Sequence, residues 1–429
     1  MKILILGGGG RESAFAWKIS QSKLLTKLYI APGNPFTAQY GENLSLNIDD
    51  FEAVADACIL HEIEIILVGP EIPLVNGIYD YFSANKHLKN INVIGPSKAG
   101  AKLEGSKDFA KNFMQKYSIP TANYQTFTKY NINEGLAYLE KIQPPYVLKA
   151  DGPAAGKGVI ITKELSEAKH TLIEMIELLK FGSAGDKVVI EQYLQGIEVS
   201  FFIMTDGKNY LLLPEAKDYK RIGENDTGPN TGGMGAVSPV YFANKVFINK
   251  VIKRIVEPTI IGLQQEGIDY KGFIFIGLMN VQGEPYVIEY NCRMGDPETE
   301  VVIPRIQNDF VELLMAIKNQ NIDKIQLSIT DEYCTTIVAV AGGYPDVYEK
   351  GNEIILPADM GNVMAFHAGT TINGEGKLLT NGGRVMAFSA LGNSLEEALS
   401  KSNTAAQNSH WKNIYYRKDI GLDLIHGSE

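Results

Sequence analysis

Lys2-Ile3-Leu4-Ile5-Leu6-Gly7-Gly8-Gly9-Gly10-Arg11 opens the chain. An apolar run too short for a helix, then consecutive glycines, then a helical pattern from Glu12 to Ser20 reads as strand, tight turn and helix. The alternation continues through apolar runs at Lys27 to Ile30, Ile63 to Val68 and Asn92 to Ile94. Strands alternating with helices across short loops predict a parallel, doubly wound sheet. The loops at the strand ends are dense in turn residues: Gly7 to Gly10, Pro32 to Pro35, Gly69 to Glu71 and Gly95 to Ser97. Ligands of open α/β sheets sit beyond the carboxyl ends of the strands, so these loops are expected to line one site.

Bulk properties narrow the function. At 429 residues the chain calls for roughly two to four packed units. A formal charge of −10 argues against nucleic acid or an anionic membrane as partner, since both demand a basic surface. Any phosphate must therefore be held by local groups. Cys58, Cys292 and Cys334 are far apart and form no zinc spacing, which fits buried thiols in a reducing, cytoplasmic compartment. The first strand starts at Lys2 with no leader pattern before it, and no apolar run reaches membrane-spanning length.

The alternation stops between Leu103 and Ser106, where Ser106 is a candidate cap for a helix from Lys107 to about Tyr117. Beyond it the pattern turns β-rich. Tyr146 to Ala150 and Val159 to Thr162 flank a glycine-rich turn, Val188 to Gln192 is a further strand, and Gly272 to Tyr290 reads as two strands joined at Gln282-Gly283. Gly223 to Gly235 reads as a mobile loop. A third unit is expected from Leu327, with strands at Tyr333 to Val340, Val363 to His367 and Arg384 to Ser389 and a helix from Leu395 to about Asn408. The expected units are thus 1–103, 104–326 and 327–429, the last mainly antiparallel.

Three segments carry chemistry. The first glycine cluster offers free amides at a helix N-terminus, a natural anion site, with Arg11 as an added cation. It is a poor nicotinamide fingerprint: counted from Gly7, Glu12 stands where the third glycine belongs, and the second strand ends in Ala31-Pro32 without a ribose-binding acid. A glycine turn that merely lets strand and helix pack is the competing reading. Gly152-Pro153-Ala154-Ala155-Gly156-Lys157-Gly158 resembles a Walker A loop but lacks one residue between its glycines and has Gly158 in place of a magnesium-binding hydroxyl. It joins two strands, so a hairpin tip that closes over phosphates through its amides and Lys157 is the better reading. Lys149, among apolar neighbours, is either a partner for an anion or a side chain snorkelling from a sheet edge.

In Tyr286-Val287-Ile288-Glu289-Tyr290-Asn291, period two places Glu289 and Asn291 on one face. Two oxygen donors there suit Mg2+, which takes a few protein oxygens and completes its shell with phosphates and water. A solvated strand face would give the same spacing. The continuation Cys292-Arg293-Met294-Gly295-Asp296-Pro297-Glu298 concentrates a guanidinium, two acids, a glycine and a proline just past the strand, which points to a site.

Taken in order, GGGGRE, APGN, VGPE, LEGSK, KADG-AAGKGV, DTGPNTGGMGA, IEYNCRMGDPETE, AGGYP, FHAGT, TNGGRV and YRKDIG resemble the phosphoribosylamine-glycine ligases, over essentially the whole chain. NTGGMGA followed by NCR-GDPE is the specific part; GKG alone is not. The resemblance implies a Rossmann-like N-terminal domain, an ATP-grasp core with a mobile α+β lid at about 121–192, and a small C-terminal domain. It implies a cytoplasmic, ATP-dependent carboxylate-amine ligase that joins glycine to 5-phosphoribosylamine through glycyl phosphate, with Mg2+ or Mn2+, as a monomer; because the sequence ends soon after the third unit, no fused purine-pathway enzyme is expected.

Carried over residue by residue, the resemblance puts ATP phosphates at Lys107, Lys149 and Gly156-Lys157-Gly158. Adenine falls on the backbone of Glu191, Gln192, Tyr193 and Leu194, ribose on Glu198, and metal on Glu289 and Asn291. Gly9, Gly10, Arg11, Asn34, Pro70, Glu71, Asp218, Gly295 and Pro297 are implied to bind substrate, and Lys220, Arg293 and Asp296 to be catalytic. Five departures stand out. Ser13 occupies a frequent His position, Pro153 a usual Leu, Ala216-Lys217-Asp218-Tyr219 a frequent Ser-Gln-Asp-His, and Glu300 a frequent Gln. Gly277 and Leu278 lie where many ATP-grasp proteins have a metal-binding Glu. The competing functions are another ATP-grasp ligase, such as a purine-pathway or biotin-dependent carboxylase, and a nucleotide-binding scaffold without catalysis.

Overall fold

A computed structural model describes residues 1–152 and 158–426. The N-terminal strands β1 (Lys2–Gly7), β2 (Lys27–Pro32), β3 (Glu42–Asn43), β4 (Ile65–Val68) and β5 (Asn92–Pro96) pair in parallel in the spatial order β5-β4-β1-β2-β3. Both faces are covered, as a parallel sheet requires. Leu4 and Leu6 enter one large apolar core, whereas Ile3 and Ile5 enter the other. The first helix, Gly10–Ile19, begins two residues earlier than its apolar pattern suggests.

Ser106 separates the helices Lys98–Gly105 and Lys107–Lys116, and its hydroxyl accepts the amide of Phe109 at 3.1 Å. The lid follows as a four-stranded antiparallel sheet in the order β6-β9-β7-β8, built from β6 (Tyr124–Thr128), β7 (Tyr146–Ala150), β8 (Val159–Thr162) and β9 (Lys187–Gln192). The hairpin reading of β7 and β8 is therefore correct. Alternation divides this sheet's faces: Leu148, Val188 and Ile190 pack with the lid helices, which leaves Lys149 and Glu191 on the other face.

Strands β10 (Ile197–Thr205) and β11 (Tyr210–Leu212) continue into a core sheet. The segment 223–235, expected as a loop, is partly ordered into a hairpin. After β12 (Lys217–Asp218), β13 (Arg221–Gly223) pairs antiparallel with β14 (Thr227–Asn230), and β15 (Gly235–Ser238) follows. Dense Gly, Asn and Asp here serve turns: Asn225, Asp226 and Gly228 all have positive φ.

The strands β16 (Tyr270–Val281) and β17 (Glu284–Asn291) meet at Gln282 and Gly283, both left-handed, as a two-residue hairpin demands. β16 also pairs antiparallel with β5 through Tyr270 and Lys271, fusing the N-terminal and core sheets into one nine-stranded surface. Gly272 (φ +145°) stands at this junction, where a β-carbon would lie 3.0 Å from the Gly95 amide nitrogen.

The last sheet joins β12, β15, β18 (Tyr333–Val340) and, after β19 (Met364–His367), β20 (Thr370–Ile372) and β21 (Leu378–Thr380), the long β22 (Arg384–Gly392). Its order is β12-β15-β18-β22-β19, wholly antiparallel. It is not made by the C-terminal segment alone, because β12 and β15 precede Leu327. Asp218 is thereby carried on a strand anchored to the C-terminal unit. Among the described residues no helix is long and apolar enough to cross a membrane.

Candidate active site

The lid face that carries Lys149 and Glu191 holds a charged cluster. Lys149 lies on the internal strand β7 and is buried, so it does not snorkel. Its Nζ sits 2.9 Å from Glu191 Oε2 and donates to the Ile288 carbonyl at 3.4 Å. The same Glu191 oxygen lies 3.2 Å from Lys111 Nζ. Lys111 is one turn beyond Lys107 on the helix Lys107–Lys116, and that i, i+4 spacing was a signal available in the sequence. Burial pushes the Lys111 ammonium down to about 8. Burial also lowers Lys107, which faces Glu289, Lys149, Asp151 and Glu191.

Glu289 is the hub. A bulge next to Gly277 leaves Glu289 opposite Gly277 and Asn291 opposite Phe275, so both point to one face. Burial opposes ionisation of Glu289, but Lys220, Lys149, Lys107 and Arg293 together hold its carboxyl below the ordinary range. Lys220 pairs with Glu198 at 2.9 Å and lies 4.0 Å from Asp218. Burial works against its charge, yet Asp218, Glu198 and Glu289 raise it well above the ordinary lysine value. Asp218 is raised chiefly by burial.

Arg293 reaches back to the N-terminal unit. Nη2 donates to Glu104 Oε1 at 2.9 Å and to Asn291 Oδ1 at 3.2 Å, while Glu71, which opens a helix capped by Pro70, lies 4.0 Å from Nε. Nε is buried with no hydrogen-bond partner among the described residues. The carboxylate of Glu104 also accepts the Cys292 amide at 2.9 Å. Glu104, within LEGSK, is thus the residue that fixes Arg293, a role not apparent from sequence.

The Gly295 loop is crowded with acid. A β-carbon on Gly295 would fall 2.2 Å from Glu298 Oε2. Burial and the neighbouring Asp218 push Glu298 up to about 7, and Ser200 donates to it at 3.4 Å. Asp296 pairs with Arg384 at 2.9 Å, and Arg384 also donates to the carbonyls of Gly232 (2.6 Å) and Asp296 (2.8 Å). Pro297 packs against Gly233, where a β-carbon would lie 2.3 Å from its Cδ. Arg384 stands in TNGGRV and is the guanidinium that the sequence reading left without a role.

The first glycine cluster differs from expectation. Its helix N-terminus is already capped, because Glu12 Oε2 accepts the Gly9 amide at 2.6 Å. Arg11 is not a free cation: its Nε lies 2.6 Å from Glu12 Oε1 and Nη1 donates to the Met294 carbonyl at 3.2 Å. Glu12 is buried where β-carbons on Gly7 or Gly69 would collide with it, which explains glycine at both positions. Asn34 is saturated by the protein itself. Nδ2 donates to the Gly8 and His367 carbonyls and to Ser13 Oγ, and Oδ1 accepts the amides of Phe36 and Thr37.

Two departures from the family pattern find partners. Ser13 donates to the His367 carbonyl at 2.6 Å. Lys217 and Tyr219 both engage Asp423 of the C-terminal helix Leu422–His426. Of the nucleotide-binding expectations, Gly156 and Lys157 lie outside the described residues, as does Pro153. Gln192 donates its amide to the Asn123 carbonyl at 2.8 Å, and Tyr193 and Leu194 lead from the lid strand β9 into the core strand β10.

The donor set for a metal is thin. Among the described residues no group of three or more His, Cys, Asp or Glu side chains could hold an ion. Ionised Glu289 and the Asn291 amide oxygen on one face fit a divalent cation whose remaining ligands are phosphate oxygens and water. Gly277, opposite Glu289, adds no carboxylate.

The chain is similar to known proteins along nearly its whole length. Family models described as phosphoribosylglycinamide synthetase N domain, ATP-grasp (A) domain and C domain match residues 1–104, 105–299 and 334–423. The chain is 43% identical over 430 residues to a phosphoribosylamine–glycine ligase of Vibrio vulnificus and 42% identical to that of Escherichia coli K12, in each case over 99% of both chains. The crystal structure of a phosphoribosylamine–glycine ligase from Thermotoga maritima covers 98% of this chain, with all of its own length matched, at 35% identity and a TM-score of 0.85. A biotin carboxylase from Campylobacter jejuni shares the fold at 17% identity, with a TM-score of 0.73 over 99% of this chain and 96% of its own.

Proposed function

Because the chain belongs to the phosphoribosylglycinamide synthetase family, we propose that it uses ATP to join the carboxylate of glycine to the amine of 5-phosphoribosylamine. The observation that carries the reading is Glu289 ringed by Lys220, Lys149, Lys107 and Arg293, a cation-rich centre between lid and core. Lys149 leans on Glu191 and Lys220 on Glu198, and the phosphates of ATP would take over those contacts.

A glycine carboxylate oxygen attacks the γ-phosphorus, ADP leaves, and glycyl phosphate forms. The neutral amine of phosphoribosylamine then attacks the carbonyl carbon, inorganic phosphate departs, and the amine gives up a proton. Lys107, Lys149 and Lys220 counter charge on the transferring phosphoryl group. Arg293, with its unpartnered Nε, orients the carboxylate of glycine, and Asp218 and Asp296 bind the amine end. Glu289 and Asn291 would hold Mg2+ or Mn2+, which when bound neutralises phosphate charge. The backbone of Glu191 to Leu194 takes adenine and Glu198 takes ribose. The loops at Gly9, Gly10, Pro70 and Glu71 receive the ribose phosphate once Glu12 yields the Gly9 amide. Arg11 and Asn34 act through the framework of that loop. The protein works as a cytoplasmic monomer on small molecules, without nucleic acid or membrane.

Phosphate release with glycine and phosphoribosylamine omitted in turn tests this. Release that requires both is the expected result. Release driven by bicarbonate, or ATP binding without turnover, would instead favour a carboxylase or a scaffold.

A further inference from the structure

Glu300 lies in the second position of the helix Thr299–Arg305 and is 1% exposed. Its Oε1 presses on the first glycine loop so closely that a β-carbon on Gly10 would sit 2.3 Å away, and its Oε2 is buried with no hydrogen-bond partner among the described residues. On its own segment it faces Asp296 and Glu298; from β22 it faces Arg384. The helix Gly10–Ile19 brings Arg11 and Glu12, closed on each other, and β18 brings Cys334, whose thiol donates to the Glu300 carbonyl at 3.9 Å. Arg384 is committed to Asp296 and the Gly232 carbonyl, and among the described residues no ion pair reaches Glu300.

An ionised carboxylate in that setting would bury an unpaired charge beside another acid, at a cost that proteins avoid by keeping the proton. Burial, then Asp296, push Glu300 well above the ordinary carboxylate range. An un-ionised carboxylic acid has the shape of an amide, with one acceptor and one donor oxygen.

We propose that Glu300 carries its proton and serves as an amide-like positioning residue, bracing the Gly9-Gly10 loop against the Asp296–Arg384 pair and so holding the phosphoribosylamine end of the site. In kinetic terms the inference rests on the substrate assignment above; in structural terms it stands alone. Deprotonation would place a second negative charge beside Asp296 and loosen the junction where the N-terminal loop, the Gly295 loop and the C-terminal strand meet.

Infrared difference spectra of the full chain against Glu300→Gln test the proton directly. A protonated-carboxyl C=O band present at neutral pH in the parent and lost in the variant is expected; identical spectra overturn the idea. Unfolding by urea from about pH 6 to about pH 9 should show the parent losing stability relative to Glu300→Gln as pH rises, because the folded state holds the extra proton. A constant difference also overturns it. In kinetics Glu300→Gln should keep the KM for phosphoribosylamine near the parent value while Glu300→Ala, which removes the side chain that presses on the loop, raises it about tenfold. Equal damage in both variants rejects the positioning role. If neither variant alters KM but the infrared band and pH slope are as expected, the protonated brace stands and the substrate assignment fails.

Discussion

Lys149 Nζ and Glu191 Oε2 lie 2.9 Å apart on neighbouring lid strands, and Lys111 Nζ of a core helix approaches the same oxygen at 3.2 Å. One lid carboxylate thus holds two buried lysines, and through Lys111 it fastens the lid to the core. Glu191→Ala would leave both ammonium groups buried and unpaired and should cost about 3–5 kcal/mol of stability. Urea unfolding reads this; a loss no larger than that of a surface substitution would mean the three groups are solvated.

Lys111 gives the cluster a pH signature. Burial takes its pKa from 10.5 in the unfolded chain to about 8 in the fold, so between those values the unfolded state binds more protons. Stability should therefore rise with pH across that window. In Lys111→Met the contribution disappears, and the stability profile measured from about pH 7.5 to about pH 10.5 should flatten relative to the parent. Parallel profiles would show that Lys111 is not desolvated.

Glu298 has the opposite sign. Burial and Asp218 raise its pKa from 4.5 to about 7, so the folded state holds a proton that the unfolded state has lost. Its contribution is complete below 4.5 and should fade as pH climbs to about 7. Glu298→Gln removes the titration, so the variant should gain on the parent across that range in urea midpoints. A gap between the two that stays constant with pH contradicts the assignment.

Glu289→Ala and Asn291→Ala test the metal pair. Each removes an oxygen donor from the face next to the lysines proposed to meet phosphate, and the expected loss is several kcal/mol of transition-state stabilisation. Higher Mg2+ should restore part of the turnover in Asn291→Ala, because the Glu289 carboxylate remains. Near-normal turnover of both variants at modest Mg2+ would place the metal elsewhere.

The fold was legible where local chemistry decides structure. Alternating apolar runs located the parallel strands, Ser106 declared a helix start, and Gln282-Gly283 announced a hairpin. Period two likewise placed Glu289 and Asn291 together. What escaped reading depends on contacts distant in sequence. Nothing local in Lys217 and Tyr219 announces Asp423 as their shared partner, nor in Glu104 that it fixes Arg293. The glycine cluster was read only in part: the Gly9 amide looks free until Glu12, three residues on, folds back on it. That capping-box spacing was visible, but the anion reading competed with it.

Gly10 offers the sharpest test of where the sugar phosphate goes. A methyl group there would meet Glu300 Oε1 at 2.3 Å, too close for any real contact, so either the carboxyl or the loop must move. Glu300 neighbours Asp296 and Arg384, whereas the nucleotide contacts proposed above centre on Lys149 and Glu191. Gly10→Ala should therefore raise the KM for phosphoribosylamine about tenfold and leave the ATP dissociation constant nearly unchanged. Because the damage comes from collision, Gly10→Ala combined with Glu300→Ala should be less impaired than the two single losses multiplied together. Weakened ATP binding with normal use of phosphoribosylamine would put the nucleotide in the N-terminal loops and reverse the two sites. Strictly multiplicative losses would mean that Gly10 and Glu300 act independently, despite the contact between them.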